Sequence, residues 1–313
     1  MAASASLPTV LALMGPTASG KTALAVELVQ RAPMEIISVD SGMVYRGMDI
    51  GTAKPDAATL AVAPHHLIDV RDPSDPYSAA DFRRDALACI TDILARGRQP
   101  LLVGGSMLYF KVLRDGLTEL PQADGALRAA IEAAAAAQGW PALHARLARV
   151  DPATAARLQA SDSQRIQRAL EVYELTGEPL SAWHARTRDQ VLPFRLRQFA
   201  LWPQDRDVLH ARIGQRLEQM WAQGLVAEVQ ALCELTPANP DLPAWRSVGY
   251  RQVLAYLQGD YDRSELEERA LFATRQLAKR QLTWLRSFDG IEGRDPFRLH
   301  LDELVRWILQ NRD

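Results

Sequence analysis

Val10-Leu11-Ala12-Leu13-Met14-Gly15-Pro16-Thr17-Ala18-Ser19-Gly20-Lys21-Thr22-Ala23-Leu24-Ala25-Val26-Glu27-Leu28-Val29 is the stretch that decides the fold. Its first five residues are apolar without alternation, as in a parallel strand buried on both faces. From Lys21 onward the apolar residues recur at helical spacing. Gly15 to Thr22 lies between them with the GxxxxGK[ST] pattern, and strand, glycine loop, Lys-Thr and helix together make a P-loop. The glycines let the backbone wrap closely around a phosphate. Loop amides and the helix N-terminus supply partial positive charge, and Lys21 adds a full one. The Thr22 hydroxyl is a candidate Mg²⁺ ligand. The motif implies a bound di- or triphosphate but does not say that phosphate is transferred.

Working outward, Glu35 to Asp40 has the character of a second strand, with Asp40-Ser41 at its carboxyl end. In open parallel sheets that edge lines the ligand crevice. Asp40 either faces the P-loop or caps the next turn, a frequent use of Asp. Gly42-Met43 opens a glycine-containing loop that runs to Pro55. His65 to Val70 suggests a short strand whose adjacent histidines point to opposite faces, which argues against a shared metal. Ser78-Ala79-Ala80-Asp81 resembles a capping box and should open a helix to about Arg96, ended by Gly97. Pro100 to Ser106 is the next buried strand, and its Gly-Gly-Ser turn makes Ser106 a second crevice candidate or a plain turn serine. Phe199 to Trp202 returns as a core strand. Asp205 or Asp207 should cap the following helix, which carries Arg212 and Arg216 on one face. One such arginine would suit a departing diphosphate; a solvated surface explains the pair equally well.

The composition changes after Gly116. Ala126 to Gln138 is an alanine-rich helix ending at Gly139, and 141–149 and 152–160 also have helical character. Asp162 should cap a helix through Gln164, Arg165, Ile166, Gln167, Arg168 and on to Tyr173, with Arg165 and Arg168 on one face. The expected architecture is therefore α/β: a P-loop NTPase-like parallel sheet flanked by helices (residues 1–117 and 196–313) with an inserted helical domain (118–195).

Toward the carboxyl end, Trp245-Arg246-Ser247-Val248-Gly249-Tyr250-Arg251-Gln252 interleaves aromatics with arginines. That pattern suits stacking on unpaired bases, or simply a packed helix start. Ser264-Glu265-Leu266-Glu267 has the form of a capping box. The helix it opens carries Arg269, Arg275, Lys279, Arg280 and Arg286 with no acid between Arg269 and Arg286. Leu271, Phe272, Leu277, Leu282, Trp284 and Leu285 are expected on its buried face. The basic stripe favours RNA contact over a solvated face.

The 313 residues suffice for one large domain and a smaller one, with a composition ordinary for a soluble globular chain. A net charge of −2 provides no global basic field, so any nucleic-acid site must be a local patch. Cys89 and Cys233 lack metal spacing and fit reduced thiols. Residues 1–8 are expected to be a frayed tail with no signal-peptide features. With no membrane-spanning stretch either, the expectation is a cytoplasmic protein.

The ordered set of motifs resembles the bacterial tRNA dimethylallyltransferase (tRNA isopentenyltransferase) family. The matching stretches are Gly15–Thr22, Ser38–Ser41, Val44–Pro55, Ser78–Asp85, Leu101–Phe110, Arg165–Leu170, Val248–Gln252 and Thr274–Arg286. The resemblance implies transfer of a dimethylallyl group from dimethylallyl diphosphate to N6 of adenosine 37, in tRNAs reading codons that begin with U. The P-loop then holds a diphosphate leaving group, with Mg²⁺ on Thr22. By the same carry-over Asp40 is the catalytic base, Ser106 stands at the acceptor side, and Arg165 and Arg216 are favoured for the diphosphate, with Arg212 behind them. The adenine would flip out of the anticodon stem-loop into a channel. Its contacts would come from Asp40, Ser41, Gly42, Met43, Ser106, Arg128, Gln164 to Arg168, Arg246 to Arg251, and Lys279, Arg280, Gln281, Leu282, Thr283, Trp284, Leu285 and Arg286. Ser106 replaces the family's usual Thr, keeping the hydroxyl and losing a methyl, and Gly42-Met43 also departs from the common pattern. A monomer is expected. A small-molecule or nucleotide kinase shares the P-loop and is the competing expectation, and a non-catalytic tRNA-binding protein is a third.

Overall fold

The computed structural model describes residues 7–116, 120–121, 124–186 and 192–312; most of the expected amino-terminal tail lies outside these. The chain divides into two compact units, Met1–Arg114 with Leu192–Asp313, and Asp115–Val191. The first unit opens with β1 (Thr9–Met14), α1 (Lys21–Arg31), β2 (Met34–Val39), α2 (Ala57–Val62), β3 (His65–His66), α3 (Ala79–Ala95), β4 (Gln99–Gly104) and α4 (Met107–Asp115). The second contains α5 (Gly125–Gln138), α6 (Trp140–Val150), α7 (Pro152–Ala155), α8 (Ser163–Thr176) and α9 (Leu180–Arg186). The chain returns through β5 (Arg195–Leu201), α10 (Arg206–Gln223), α11 (Leu225–Leu235), α12 (Tyr250–Leu257), α13 (Arg263–Leu285), β6 (Ile291–Arg294) and α14 (Leu301–Gln310).

The six strands form one parallel sheet in the order β3-β2-β4-β1-β5-β6. Val10 to Met14 are fully buried, as a central parallel strand requires. Leu11 and Leu13 pack in one cluster with Leu24 and Leu28 of α1 and Val305 and Trp307 of α14. The register sets Leu13 opposite Val103 on one side and Phe199 on the other. It also sets Val39 beside Gly104. The carboxyl ends of β2, β4 and β1 thus lie side by side, bringing Asp40, Gly105-Ser106 and Gly15 to one edge. Gly104 must be glycine, because a Cβ there would stand 2.0 Å from the Val39 carbonyl oxygen.

The Ser78–Asp81 capping box forms, with Ser78 accepting from the Asp81 amide and Asp81 bonding back. Asp205 caps α10 by accepting from the amides of Asp207 and Val208. Several expectations are corrected. The strand expected over His65 to Val70 stops at His66, because Leu67 and Asp69 take φ of 62° and 56° and turn the chain. Asp262 is the cap of α13, not Ser264: its carboxylate reaches the Glu265 amide, which puts Ser264 inside the first turn. The helix expected over 152–160 stops at Ala155, after which Arg157 and Leu158 donate to the Thr154 and Ala155 carbonyls in tighter turns. Asp162 precedes α8 without a side-chain cap bond and lies 3.3 Å from Arg165 instead.

The helical unit has its own apolar core, including Ile131, Leu143, Leu147, Ile166 and Leu170. Within it Glu171 is 0 % exposed and accepts from Arg128, Arg168 and the Asp124 amide. Burial alone would raise this carboxyl's pKa. The two guanidiniums and the amide overcome that and hold it below the usual carboxylate range. A buried charge with this many partners ties the start of α5 to the middle of α8.

Candidate active site

A cavity of about 710 Å³ opens at the carboxyl edge of the sheet, entirely within the first unit. That is the size of a small-ligand site. Its polar end is the P-loop. Ala18 and Gly20 take φ of 61° and 93°, and this left-handed geometry curls the chain ahead of α1. A Cβ on Gly15 would stand 2.9 Å from the Ser19 hydroxyl and 3.0 Å from the Leu201 carbonyl, so close packing of the loop demands glycine there. The Lys21 ammonium donates to the Pro16 carbonyl at 2.6 Å. Burial, with Arg216 close by, lowers its pKa to about 7, and Asp40 opposes this only in part. Thr22 is exposed at the mouth of the loop.

Arg216 on α10 is the loop's guanidinium neighbour. Burial lowers its pKa, the Asp40 charge partly offsets this, and it donates to the Thr52 carbonyl at 3.4 Å. Arg212, one turn earlier, donates to the Ala18 carbonyl at 3.0 Å and lies over the Phe297 ring. The two arginines on one helix face thus divide the work. Arg212 braces the loop's backbone, while Arg216 lines the cavity.

Asp40 serves in both ways its position allowed. Its Oδ1 accepts from the amides of Gly42 (2.8 Å) and Met43 (3.3 Å), and the residue lines the cavity beside Lys21. The Ser106 hydroxyl accepts from the Ser41 amide at 2.9 Å and stands 3.2 Å from the Ser41 hydroxyl. It therefore pins the turn that carries Asp40. Beyond these groups the wall turns apolar, with Met107, Ile213, Leu217, Met220, Leu277 and Trp284. A site with cations and a carboxylate at one end and an apolar wall beyond suits a ligand that joins a diphosphate to a short hydrocarbon.

The residues expected to meet RNA fall into two sets. Lys279, Arg280, Thr283 and Arg286 are exposed on α13, and Trp284 faces the cavity half-buried. Arg246 to Gly249 line the cavity, with Arg246 held by the Pro240 carbonyl and Asp241. Arg251 is exposed. Others are corrected. Tyr250 and Trp245 are buried, and the Tyr250 hydroxyl donates to Glu228 at 2.6 Å, so neither ring is free to stack on a base. Leu282, Leu285 and Ile166 are core residues. Gln281 is buried with both ends of its amide bonded to protein. Phe272, expected to be buried, is 65 % exposed, whereas Ala270 and Ala278 occupy the packed face of α13. Arg269 pairs with Glu265 and drops out of the free basic stripe. In the helical unit Arg128 and Arg168 bond Glu171, Gln167 bonds Glu132, and Gln164 and Arg165 are exposed.

Some positioning residues gave no sequence signal. Glu228 accepts from the amides of Asp49, Ile50 and Gly51, fixing the loop whose Thr52 carbonyl meets Arg216. The Lys54 side chain, within the Val44–Pro55 stretch that the sequence did single out, is 4 % exposed and joins Asp49, Asp69 and the Tyr45 carbonyl, so its role is to close that loop. Among the described residues no three His, Cys, Asp or Glu side chains are grouped to hold a metal, and no helix is long and apolar enough to cross a membrane.

The sequence model of the IPP transferase family matches residues 43–288. A tRNA dimethylallyltransferase of Thioalkalivibrio sulfidiphilus is 61 % identical over 91 % of this chain and 89 % of its own length. That of Thiobacillus denitrificans is 62 % identical over 91 % and 90 %. Among solved structures, a full-length tRNA isopentenylpyrophosphate transferase of Bacillus halodurans superposes with a TM-score of 0.72 at 37 % identity, over 97 % of this chain and 95 % of its own. A eukaryotic dimethylallyltransferase acting on tRNA reaches 0.82 at 26 % identity, over 98 % and 80 %. Fold and sequence agree over nearly the whole chain: it belongs to the IPP transferase family.

Proposed function

We propose that the chain transfers a dimethylallyl group from dimethylallyl diphosphate to N6 of the adenosine beside the anticodon, adenosine 37, in tRNAs reading codons that begin with U. The observation that carries this reading is the juxtaposition of Asp40 with Lys21 and Arg216 in one cavity that continues into an apolar wall. Diphosphate lies in the loop, against the loop amides, Lys21 and Arg216, and the prenyl chain follows the apolar wall. The exocyclic amine is a poor nucleophile because its lone pair is delocalised into the purine. As the N6–carbon bond forms and the carbon–oxygen bond to diphosphate breaks, Asp40 takes the N6 proton. Lys21 and Arg216 stabilise the charge that collects on the leaving diphosphate. The two turn amides bonded to Asp40 hold the base in place.

A divalent cation fits this donor set as a partner of the substrate. The exposed Thr22 hydroxyl, diphosphate oxygens and water are hard ligands of the kind Mg²⁺ takes, with no all-protein cage required. Bound there, Mg²⁺ would neutralise part of the diphosphate charge. Lys279, Arg280, Thr283 and Arg286, with Arg246 to Gly249 and Arg251, are assigned to the anticodon stem-loop. The outer faces of Arg128 and Arg168, with Gln164, Arg165 and Gln167, would add contacts from the helical unit.

The test is transfer of label from dimethylallyl diphosphate, with Mg²⁺, to unmodified tRNA beside an ATP control. Label on the adenosine next to the anticodon, without ATP, supports the reading. Phosphate released from ATP with no transfer would replace it with the kinase.

A further inference from the structure

Gln281 lies in the middle of the RNA-facing helix, yet its side chain points inward and is nearly fully buried. Its Oε1 accepts from the Thr17 amide of the P-loop at 2.8 Å. Its Nε2 donates to the Gly105 carbonyl, next to Ser106, at 3.0 Å. One amide thereby spans the loop assigned to the leaving group and the turn that pins Asp40 through Ser106 and Ser41. Gly105 is shaped to this contact, since a Cβ there would stand 2.3 Å from the Gln281 nitrogen. The neighbours Lys279, Arg280 and Thr283 are exposed on the same helix.

We propose that Gln281 is a positioning residue that fixes the spacing between the diphosphate loop and the acceptor-side turn, so that the packing of α13 sets the distance between the reacting carbon and nitrogen. This rests on the transfer reading above. A single short link is suited to the task because a small error in the spacing of reacting atoms lowers the rate steeply while leaving each substrate's own contacts intact. The amide serves both ends: it offers an acceptor for the Thr17 amide and a donor for the Gly105 carbonyl.

The variants are Gln281→Met, which fills similar space and loses both bonds, and Gly105→Ala, which pushes the intact Gln281 amide away. The readouts are the single-turnover transfer rate, the Kd of inorganic diphosphate, the Kd of tRNA, and hydrogen exchange at the Thr17 amide. Each variant should keep both Kd values within about threefold of wild type, lose at least tenfold in single-turnover rate, and exchange the Thr17 amide faster. The double variant should be no slower than the worse single one, because both act on one link. A rate within threefold of wild type in a folded variant overturns the proposal. So does a rate loss matched by weaker binding of one substrate alone. If Gln281→Met does not fold, Gly105→Ala carries the same readouts. Wild-type protein that transfers no label overturns the transfer reading, and this proposal with it; in that case Thr17 exchange still shows whether the link exists.

Discussion

The P-loop and helix α13 face one cavity, yet they differ in how their residues take on roles. The loop works through its backbone. Its glycines, left-handed turns and the amides ahead of α1 follow from local rules, so the motif assigns them one by one. Helix α13 works through its faces, and which face meets solvent is decided by what packs against it. Lys279, Arg280, Thr283 and Arg286 point out, whereas Gln281, Leu282 and Leu285 point in. A stretch carried over whole from a resemblance therefore mixes ligand contacts with core. The loop can be read as a string; the helix must be read as a surface.

Asp40→Ala, on the acceptor-side turn between the two regions, should lower activity most severely. Turnover should fall roughly 10³-fold, within the usual range for a general base, while tRNA binding persists. Asp40→Asn can still accept from the Gly42 and Met43 amides. An equal loss in both variants assigns the effect to the proton, whereas near-normal turnover in Asp40→Asn would make Asp40 a turn residue only. In the helical unit, Glu171→Ala strands Arg128 and Arg168 around an emptied buried site. It should destabilise that unit by about 1 to 2 kcal/mol, since the guanidiniums left behind reach solvent, seen as a lower denaturation midpoint. An unchanged midpoint would mean that the two guanidiniums are satisfied by water.

The phosphate-loop half of the first unit was legible in the sequence, whereas β6 and α14, which close its sheet and core, had no reading there. Val10 to Met14, the Ser78–Asp81 box and the Gly104-Gly105 turn each carry a local cause, and the parallel sheet follows from them. The arginine pair was legible as a pair but not as a division of labour, because Arg212 meets the Ala18 carbonyl only through the crossover that brings α10 back to the loop. Tyr250 and Trp245 looked like stacking residues because aromatics beside arginines do serve that end. The Tyr250 ring is held by Glu228 and packs on Gly51, in a loop that Glu228 fixes from 177 to 179 positions further along the chain. Glu228 had no signal, since a carboxylate bonded to three distant amides looks in sequence like any helix-surface glutamate.

The double substitution Lys279→Ala with Arg280→Ala probes the surface side of α13. Both residues are exposed, and removing them should leave the fold intact. Affinity for tRNA should drop about thirtyfold at low salt, and the slope of log affinity against log salt should shrink by about 1.5 to 2. The paired Arg269, changed to Ala in the same way, should alter the slope little. Equal slopes in all three proteins would place the RNA on another face.

The pH dependence of diphosphate binding sharpens the loop's side of the comparison, because it depends on one side chain held by the loop. Lys21 titrates near 7 in the free protein, well below its ordinary 10.5, chiefly from burial and then from Arg216. A bound diphosphate favours the charged ammonium and raises that pKa. Below pH 7 Lys21 already carries its proton, so affinity is flat there with respect to this group. Above pH 7 the free protein is mostly neutral at Lys21 and must take up a proton to bind, so affinity falls as pH rises. Between pH 7 and 8 the loss should be about fivefold, growing toward tenfold per unit until the pKa of the complex is reached. Titration of the diphosphate itself contributes to any such curve. Lys21→Met retains that contribution and loses the lysine's, so the difference between the two proteins isolates the group. Parallel curves would mean that Lys21 takes up no proton on binding between these pH values.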